Sequence, residues 1–402
     1  MQIDVQYQYR LELGTITIQD FSLKKKKKKK KKFTSFYDKA VFLYHLVPGG
    51  EMMCLTQRSW WPSWRPTSMS LLKSAEAKIL ACIQNEVCSR FVTLPNQNRL
   101  WTLTVTNRTA HKSSMASCTP LVMVHGFGGG VGLWVQNLDA LSRSRRVYAF
   151  DLLGFGRSSR PSFPTDPSLA EELFVSSIEQ WRQTLGLERM ILLGHSLGGY
   201  LAASYSIQHP ERVAHLILVD PWGFPERPQP HTERSLSQGL EAKRPGPPRW
   251  VKAVASIFSL FNPLAIIRAA GPWGPGLVNR FRPDFKSRFE DLFDDDTMTE
   301  YLYHCNAQTP SGEVGFRAMS EFLGWAKRPM VQRVNLLAPS MPVTMLYGAR
   351  SWVDSSTGNH VAALRGHSPT RVLLIDEASH HVYADQPEEF NHVVVNICNT
   401  VD

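Results

Sequence analysis

The sequence predicts a doubly wound, mostly parallel α/β sheet with a helical cap inserted between two of its core strands. Three features of the chain support this fold class. Short apolar runs alternate with helical stretches beyond residue 90, most of these runs are apolar at nearly every position, and one long interval between residues 220 and 341 interrupts the alternation. Alternating β and α segments are typical of a parallel sheet with helices on both faces.

The strands are predicted from short runs rich in valine, leucine and isoleucine. Residues 91–94 and 100–106 are expected to form an opening hairpin, and residues 68–89, 171–185 and 197–208 are expected to be helical. Six nearly continuous apolar runs are expected to form strands buried on both faces. They cover residues 121–124, 147–150, 190–193, 216–219, 343–346 and 372–375.

The interval 221–341 begins with a segment rich in proline and arginine and continues with an apolar stretch over residues 251–270. Within that stretch, Val254, Ile257 and Phe261 fall on one face of a helix. We expect the interval to form a cap over the carboxyl edge of the sheet, where α/β folds bind ligands. The apolar face of such a cap helix is equally consistent with ordinary packing against the core and with contact to a bound acyl chain.

The α/β core is therefore expected in two pieces, residues 59–220 and 342–402, with the cap at 221–341. Residues 1–58 share little with the rest and are expected to be a disordered appendage. They include nine consecutive lysines at 24–32, which suit a flexible solvated tail or an error in the gene model. The net charge is +10 with this run and +1 without it, so the remainder has no basic excess that would indicate nucleic-acid binding.

A tryptophan cluster follows this appendage. Trp60, Trp61 and Trp64 stand between prolines, and exposed tryptophan rings favour a membrane interface, although they also pack on protein domains. No run approaches the about 18 apolar residues of a spanning helix, and no secretory signal pattern is present. We therefore expect a cytoplasmic protein, not a secreted one, that contacts a membrane peripherally.

The predicted nucleophile is Ser196, in the sequence Gly-His-Ser-Leu-Gly at residues 194–198. The pattern lies directly between a buried strand and a helix. A serine on such a sharp turn is forced into a strained conformation with its hydroxyl exposed, and the glycines two residues away on either side avoid collisions. This arrangement is typical of a serine hydrolase with an α/β-hydrolase sheet.

The oxyanion of the tetrahedral intermediate requires backbone donors. One is expected from the amide of Leu197, the residue after the nucleophile. The other is expected from the glycine-rich loop at residues 125–130, with the Phe127 amide preferred and the Gly128 amide as the alternative.

The base and the acid are expected in chain order after the nucleophile, the acid before the histidine. His380 is the predicted base, and His381 is the alternative. Asp354, in the loop after the penultimate strand, is the predicted acid, and Asp220, directly after residues 216–219, is the alternative. Asp151 is expected to belong to a structural turn instead.

Several segments resemble the lipid-acting abhydrolase subfamily over roughly residues 59–402. They are the runs at residues 63–68, 124–134, 194–199, 218–225 and 379–385. One branch of that subfamily replaces the nucleophile with asparagine and acts as a lipid-droplet coactivator of a lipase, whereas Ser196 places this chain with the hydrolytic branch. The resemblance implies removal of the sn-1 and sn-2 acyl chains from N-acyl phosphatidylethanolamine and its lyso form, toward N-acylethanolamines. A phospholipid is then the substrate, a membrane or lipid-droplet surface is the site of action, and neither a cofactor nor a metal is required.

Two other function classes remain open. His380 and Asp385 form an HxxxxD spacing, which is known in acyl-CoA-dependent lysophospholipid acyltransferases, and an acyl-enzyme can pass its acyl group to water or to a lysophospholipid. A non-catalytic binding protein that regulates a lipase on lipid droplets would use the cap and the tryptophans without Ser196.

Overall fold

The computed structural model describes residues 67–109, 117–227, 263–321 and 324–402. Its main feature is an eight-stranded sheet with the order β1-β2-β4-β3-β5-β6-β9-β10. The strands of this sheet are β1 (Glu86–Thr93), β2 (Arg99–Thr106), β3 (Leu121–Val124), β4 (Val147–Phe150), β5 (Met190–His195), β6 (Val213–Val219), β9 (Val343–Gly348) and β10 (Thr370–Ile375). Strands β7 (Ser320–Glu321) and β8 (Trp325–Ala326) form a separate two-stranded ribbon.

The sheet is mostly parallel, which confirms the predicted fold class. The hairpin β1–β2 joins β4 in antiparallel pairing, and every pairing from β4 to β10 is parallel. Strands β3 to β6 and β9 are buried at every position, as their uninterrupted apolar runs predict. The prediction was wrong for β10, where Leu373 and Leu374 are exposed because this strand forms the sheet edge.

Helices pack on both faces of the sheet. Their bounds are α1 (Met69–Leu80), α2 (Val135–Leu141), α3 (Pro167–Thr184), α4 (Leu197–Gln208), α5 (Pro263–Ala269), α6 (Gly274–Phe281), α7 (Asp284–Arg288), α8 (Thr297–Asn306), α9 (Gly312–Met319), α10 (Ser356–Arg365), α11 (Val382–Asp385) and α12 (Pro387–Cys398). The predicted helix over residues 68–89 ends earlier, because the carboxylate of Asp139 accepts hydrogen bonds from the amides of Gln84 and Asn85 and turns the chain into β1.

The insertion between β6 and β9 contributes no strand to the main sheet within the described residues. Its helices α7 and α8 contact loops that follow core strands, since Arg288 in α7 binds Ser379 and Asn306 in α8 binds Gly128. The described part of the insertion therefore lies at the carboxyl edge of the sheet. Residues 251–262 of the predicted cap helix, the appendage at residues 1–58, and Trp60, Trp61 and Trp64 lie outside the described residues.

No helix within the described ranges is both long enough and apolar enough to cross a bilayer.

Candidate active site

Ser196 occupies the turn between β5 and α4 with φ +54° and ψ −117°. This conformation is strained for any residue with a side chain. The glycines on either side are required by close backbone approach: a Cβ on Gly194 would lie 2.3 Å from the carbonyl oxygen of Gly198, and a Cβ on Gly198 would lie 2.3 Å from that of Val124. The geometry of a nucleophile elbow is therefore present at Ser196.

His380 lies in the loop after β10 and faces this turn. Its Nε2 lies 3.1 Å from Ser196 Oγ, within the range for proton transfer from the hydroxyl. Adjacent His381 points elsewhere and packs edge-on against Phe285 of the cap, with ring centroids 4.8 Å apart. The structure therefore places His380, and not His381, at the serine.

The acid beside His380 is Asp220. Its Oδ2 lies 2.6 Å from His380 Nδ1, and the same oxygen accepts a hydrogen bond from Ser351 Oγ. The Gly348 amide, at 3.3 Å, donates to the other carboxylate oxygen. Asp220 leaves β6 with φ +44°, a left-handed conformation that turns its side chain toward the histidine loop.

The prediction of Asp354 as the acid was wrong in geometry. Asp354 is exposed, and both of its carboxylate oxygens accept hydrogen bonds from Ser356, one from the backbone amide at 2.9 Å and one from the hydroxyl at 2.6 Å. It therefore forms a local turn before α10. Both aspartates follow a core strand, but Asp220 follows its strand immediately, whereas five loop residues separate Asp354 from the end of β9.

Burial controls the protonation of this pair. Desolvation lowers the pKa of His380 to about 4, and the nearby Arg282 and Arg288 charges act in the same direction. Desolvation raises the pKa of Asp220 to about 7, while the hydrogen bond from Ser351 lowers it. In such a buried pair the neutral imidazole carries its proton on Nδ1 and donates it to the carboxylate, and this leaves Nε2 free to accept a proton from the serine.

The loop after β3 approaches Ser196 from the other side. Gly126 touches Ser196 so closely that an added Cβ would lie 3.0 Å from Ser196 Cβ. The amide of Gly129 donates to the carbonyl of Gly126, and Gly128 has φ +69°, which is the conformation that a type II turn needs at its third residue. Within the described chain, no hydrogen bond engages the amide of Phe127 or of Leu197.

Cap helix α8 holds this loop in place. Asn306 Nδ2 donates to the carbonyl of Gly128 at 2.7 Å, and the buried hydroxyl of Tyr301 accepts from the amide of Gly132 at 2.9 Å. Asp151 adds a third contact by accepting from the amide of Val131. Asp151 also accepts from the Arg157 amide and is fully buried, as expected of a structural turn residue.

The sequence analysis missed two residues that contact His380. His195 Nε2 donates to the carbonyl of His380 at 2.8 Å and so ties the histidine loop to the nucleophile turn. Burial lowers the pKa of His195 to about 3, which keeps the ring neutral. The ring of Trp352 packs on that of His380 at 5.1 Å while remaining 64% exposed. The position of His195 directly before Ser196 was a sequence feature that could have indicated its role. No sequence feature indicated Trp352.

Asp385, the acidic residue of the HxxxxD spacing, does not hold His380. Its Oδ2 accepts from both the amide and the hydroxyl of Ser379, and its Oδ1 accepts from Arg288 of α7. It therefore anchors the start of the histidine loop to the cap.

A cavity of about 160 Å³ lies between the Gly126–Gly129 loop and the cap. Most of its wall is apolar, and His195 and His381, which adjoin Ser196 and His380 in the chain, also line it. No group of three histidine, cysteine or acidic side chains among the described residues is arranged to hold a metal ion.

Comparisons with known proteins show the family of this chain. The family model for the alpha/beta hydrolase fold matches residues 119–387. A (lyso)-N-acylphosphatidylethanolamine lipase of Mus musculus is 60% identical over 336 residues, which cover 84% of this chain and 94% of the relative. A 1-acylglycerol-3-phosphate O-acyltransferase of Homo sapiens is 52% identical over 336 residues, which cover 84% of this chain and 92% of that protein.

Solved structures show the same fold. A bacterial membrane phospholipase A aligns with a TM-score of 0.55 at 20% identity and covers 83% of this chain and 91% of its own. The naproxen esterase of Bacillus subtilis aligns with a TM-score of 0.55 at 15% identity and covers 82% of this chain and 97% of its own. The family model and the curated relatives confirm the resemblance predicted from the motifs, and this chain belongs to the alpha/beta hydrolase family.

Proposed function

We propose that the chain is a serine hydrolase that cleaves the acyl esters of phospholipids. The observation that carries the proposal is the alignment of Ser196, His380 and Asp220, with Nε2 at 3.1 Å from the serine oxygen and Nδ1 at 2.6 Å from the carboxylate. A hydroxyl, an imidazole and a carboxylate in this order are the elements of nucleophilic acyl transfer. Each of the three is supplied by a loop that follows a core strand.

In the first step, His380 takes the proton of Ser196 and the serine oxygen attacks the ester carbonyl. Asp220 keeps the imidazole in the tautomer with its proton on Nδ1 and stabilises the imidazolium that forms. The amides of Phe127 and Leu197 donate to the developing oxyanion, and the helix dipole of α4 adds to this stabilisation. The tetrahedral intermediate collapses when His380 returns the proton to the leaving alcohol.

In the second step, water attacks the acyl-enzyme by the same route and releases the fatty acid. His380 again acts first as the base and then as the acid. These steps use side chains and backbone amides of this chain alone, so the proposed reaction requires no cofactor or metal ion.

The proposed substrates are N-acyl phosphatidylethanolamine and its lyso form, cleaved at the sn-1 and sn-2 esters toward N-acylethanolamines. The support is the identity of 60% to a relative named for the lipase activity on these lipids, over nearly that relative's whole length. The apolar cavity beside the nucleophile suits an acyl chain. The place of action that fits such a substrate is the cytoplasmic surface of a membrane or a lipid droplet, with peripheral attachment.

The test is Ser196→Ala. We expect this variant to lose labelling by a fluorophosphonate probe and to lose ester turnover by several orders of magnitude. Retained labelling in the variant would place the nucleophile elsewhere and contradict the proposal. Retained lipid binding with no turnover in the native chain would instead support a non-catalytic binding protein.

Acyl transfer is the second candidate, and the relative named as a 1-acylglycerol-3-phosphate O-acyltransferase favours it. The HxxxxD spacing adds little support, because Asp220 occupies His380 Nδ1 and Asp385 binds Ser379 and Arg288. Incubation with lysophospholipid in the presence and absence of acyl-CoA separates the two reactions. A hydrolase releases free fatty acid in both mixtures, whereas a transferase forms diacyl product only with acyl-CoA.

A further inference from the structure

Arg282 is the one charged side chain that the described chain contributes to the cavity wall. The remaining cap residues of the wall are apolar apart from Asn306, and they include Leu264, Ile267, Leu277, Val278 and Leu302. His381 also lines the cavity, but burial lowers its pKa well below the ordinary value and keeps it neutral. A long apolar chain bound in this cavity would therefore contact one cation of the described chain, Arg282.

A row of rings in edge-to-face contact connects this cation to His380. The rings of His380 and His381 lie 5.3 Å apart, those of His381 and Phe285 lie 4.8 Å apart, and the guanidinium of Arg282 lies 4.4 Å over the ring of Phe285. Stacking on an aromatic face limits the rotamers that a guanidinium can adopt. The charge of Arg282 is therefore held at a defined place near the reacting groups.

Only some of the N–H groups of the Arg282 guanidinium have a hydrogen-bond partner within the described chain. Its Nε and Nη2 donate to the two carboxylate oxygens of Asp284, at 3.0 and 2.9 Å, and its Nη1 has no hydrogen bond within the described chain. Neighbouring Arg288 is different, since it binds Asp284, Asp385 and Ser379 and its side chain is only 11% exposed. The side chain of Arg282 is 46% exposed, so it can reach an external anion.

We propose that Arg282 binds the phosphate of the glycerophospholipid substrate while the acyl chain enters the cavity. This inference rests on the proposed function. The phosphodiester is the anion that every such substrate carries a few bonds from the ester under attack, and the planar guanidinium donates to phosphate oxygens with favourable geometry. Arg282 is then a specificity-determining residue that favours phospholipids over neutral acylglycerols.

The test compares Arg282→Gln with Arg280→Gln on two substrates with the same acyl ester, 1-palmitoyl lysophosphatidylethanolamine and 1-palmitoylglycerol. Arg280 is the matched control, because it is exposed and lies two residues away. We expect Arg282→Gln to lower kcat/KM for the phospholipid by about tenfold or more, as for the loss of a charge-assisted hydrogen bond, and to leave the acylglycerol unchanged. Arg280→Gln should change neither value.

Equal loss on both substrates, or no loss on either, would overturn the proposal. So would a variant whose only change is weaker inhibition by palmitate, because the cation would then bind the product carboxylate. Equilibrium binding of both lipids to Ser196→Ala, with and without Arg282→Gln, tests the phosphate contact independently of turnover. Selective loss of phospholipid binding would support the contact even if the native chain hydrolysed neither lipid, and that second result would count against the proposed function alone.

Discussion

Asp220 Oδ2 and His380 Nδ1 lie 2.6 Å apart although 160 residues separate them in the chain. Each residue stands in a loop after its strand, Asp220 directly after β6 and His380 after β10, with β9 between these strands in the sheet. The left-handed backbone of Asp220 and the donor from Ser351 aim the carboxylate at the imidazole.

We therefore expect Asp220→Asn to lower kcat by about four orders of magnitude, because an amide no longer enforces the productive tautomer of the base. Asp354→Asn is the matched control, since within the described chain the carboxylate of Asp354 accepts hydrogen bonds from Ser356 alone and is exposed. Steady-state kinetics on one ester substrate measure the kcat of both variants. A larger loss from the Asp354 variant would contradict the assignment of the acid.

The contact between Asn306 and Gly128 predicts that the cap contributes to catalysis. Asn306→Ala removes the donor to the Gly128 carbonyl and loosens the turn that presents the Phe127 amide. We expect kcat to fall by about tenfold to a hundredfold with little change in KM, because the oxyanion is bound only in the transition state.

Gln308→Ala is the control for that variant. Gln308 Nε2 donates to the carbonyl of Gly156, in a loop that does not present the proposed donors. Equal effects of the two substitutions on kcat would indicate a general loss of cap stability. Fluorophosphonate labelling of both variants checks that Ser196 and His380 remain in place.

The acid limb of the pH profile reports the protonation of His380. The base must be neutral, so activity falls as the pH drops through the pKa of His380, which burial and two arginine charges lower to about 4. We expect kcat/KM to remain high at pH 6.5. Arg282→Gln removes one of these positive charges, stabilises the imidazolium and moves the limb toward higher pH. Movement toward lower pH would contradict this sign.

Two glycines are expected to respond to alanine with opposite signs. Gly198→Ala would place a Cβ 2.3 Å from the carbonyl oxygen of Val124, so we expect a loss of about 1–3 kcal/mol in the free energy of unfolding. Gly276 lies exposed within α6 with no atom near its missing Cβ, so Gly276→Ala should add up to about 1 kcal/mol. Chemical denaturation of both variants measures the difference, and a destabilised Gly276 variant would show that α6 is not the helix described.

The predictions from sequence were most accurate where the local structure depends on residues adjacent in the chain. The strand runs, the turn around Ser196 and the glycine loop at Gly126 are local patterns, and the structure has them within a few residues of the expected positions. The predictions of a helix over residues 68–89 and of a fully buried β10 were less accurate. The helix ends early because Asp139, which is distant in the chain, accepts hydrogen bonds from the residues after it, and β10 is partly exposed because it lies at the edge of the sheet.

The candidate nucleophile and the candidate histidines were thus accessible from the sequence, because a glycine-flanked serine between an apolar strand and a helix is a specific pattern. His380 was already the histidine preferred from the sequence, and the structure places it at Ser196. Only the tertiary structure decided that Asp220, and not Asp354, lies beside His380, and that Asn306 binds the Gly128 carbonyl. These outcomes depend on which side chains meet after several strands align at one edge of the sheet. A shift of a few ångströms in a loop would decide which carboxylate lies beside His380. The spacing of residues along the chain does not give that distance.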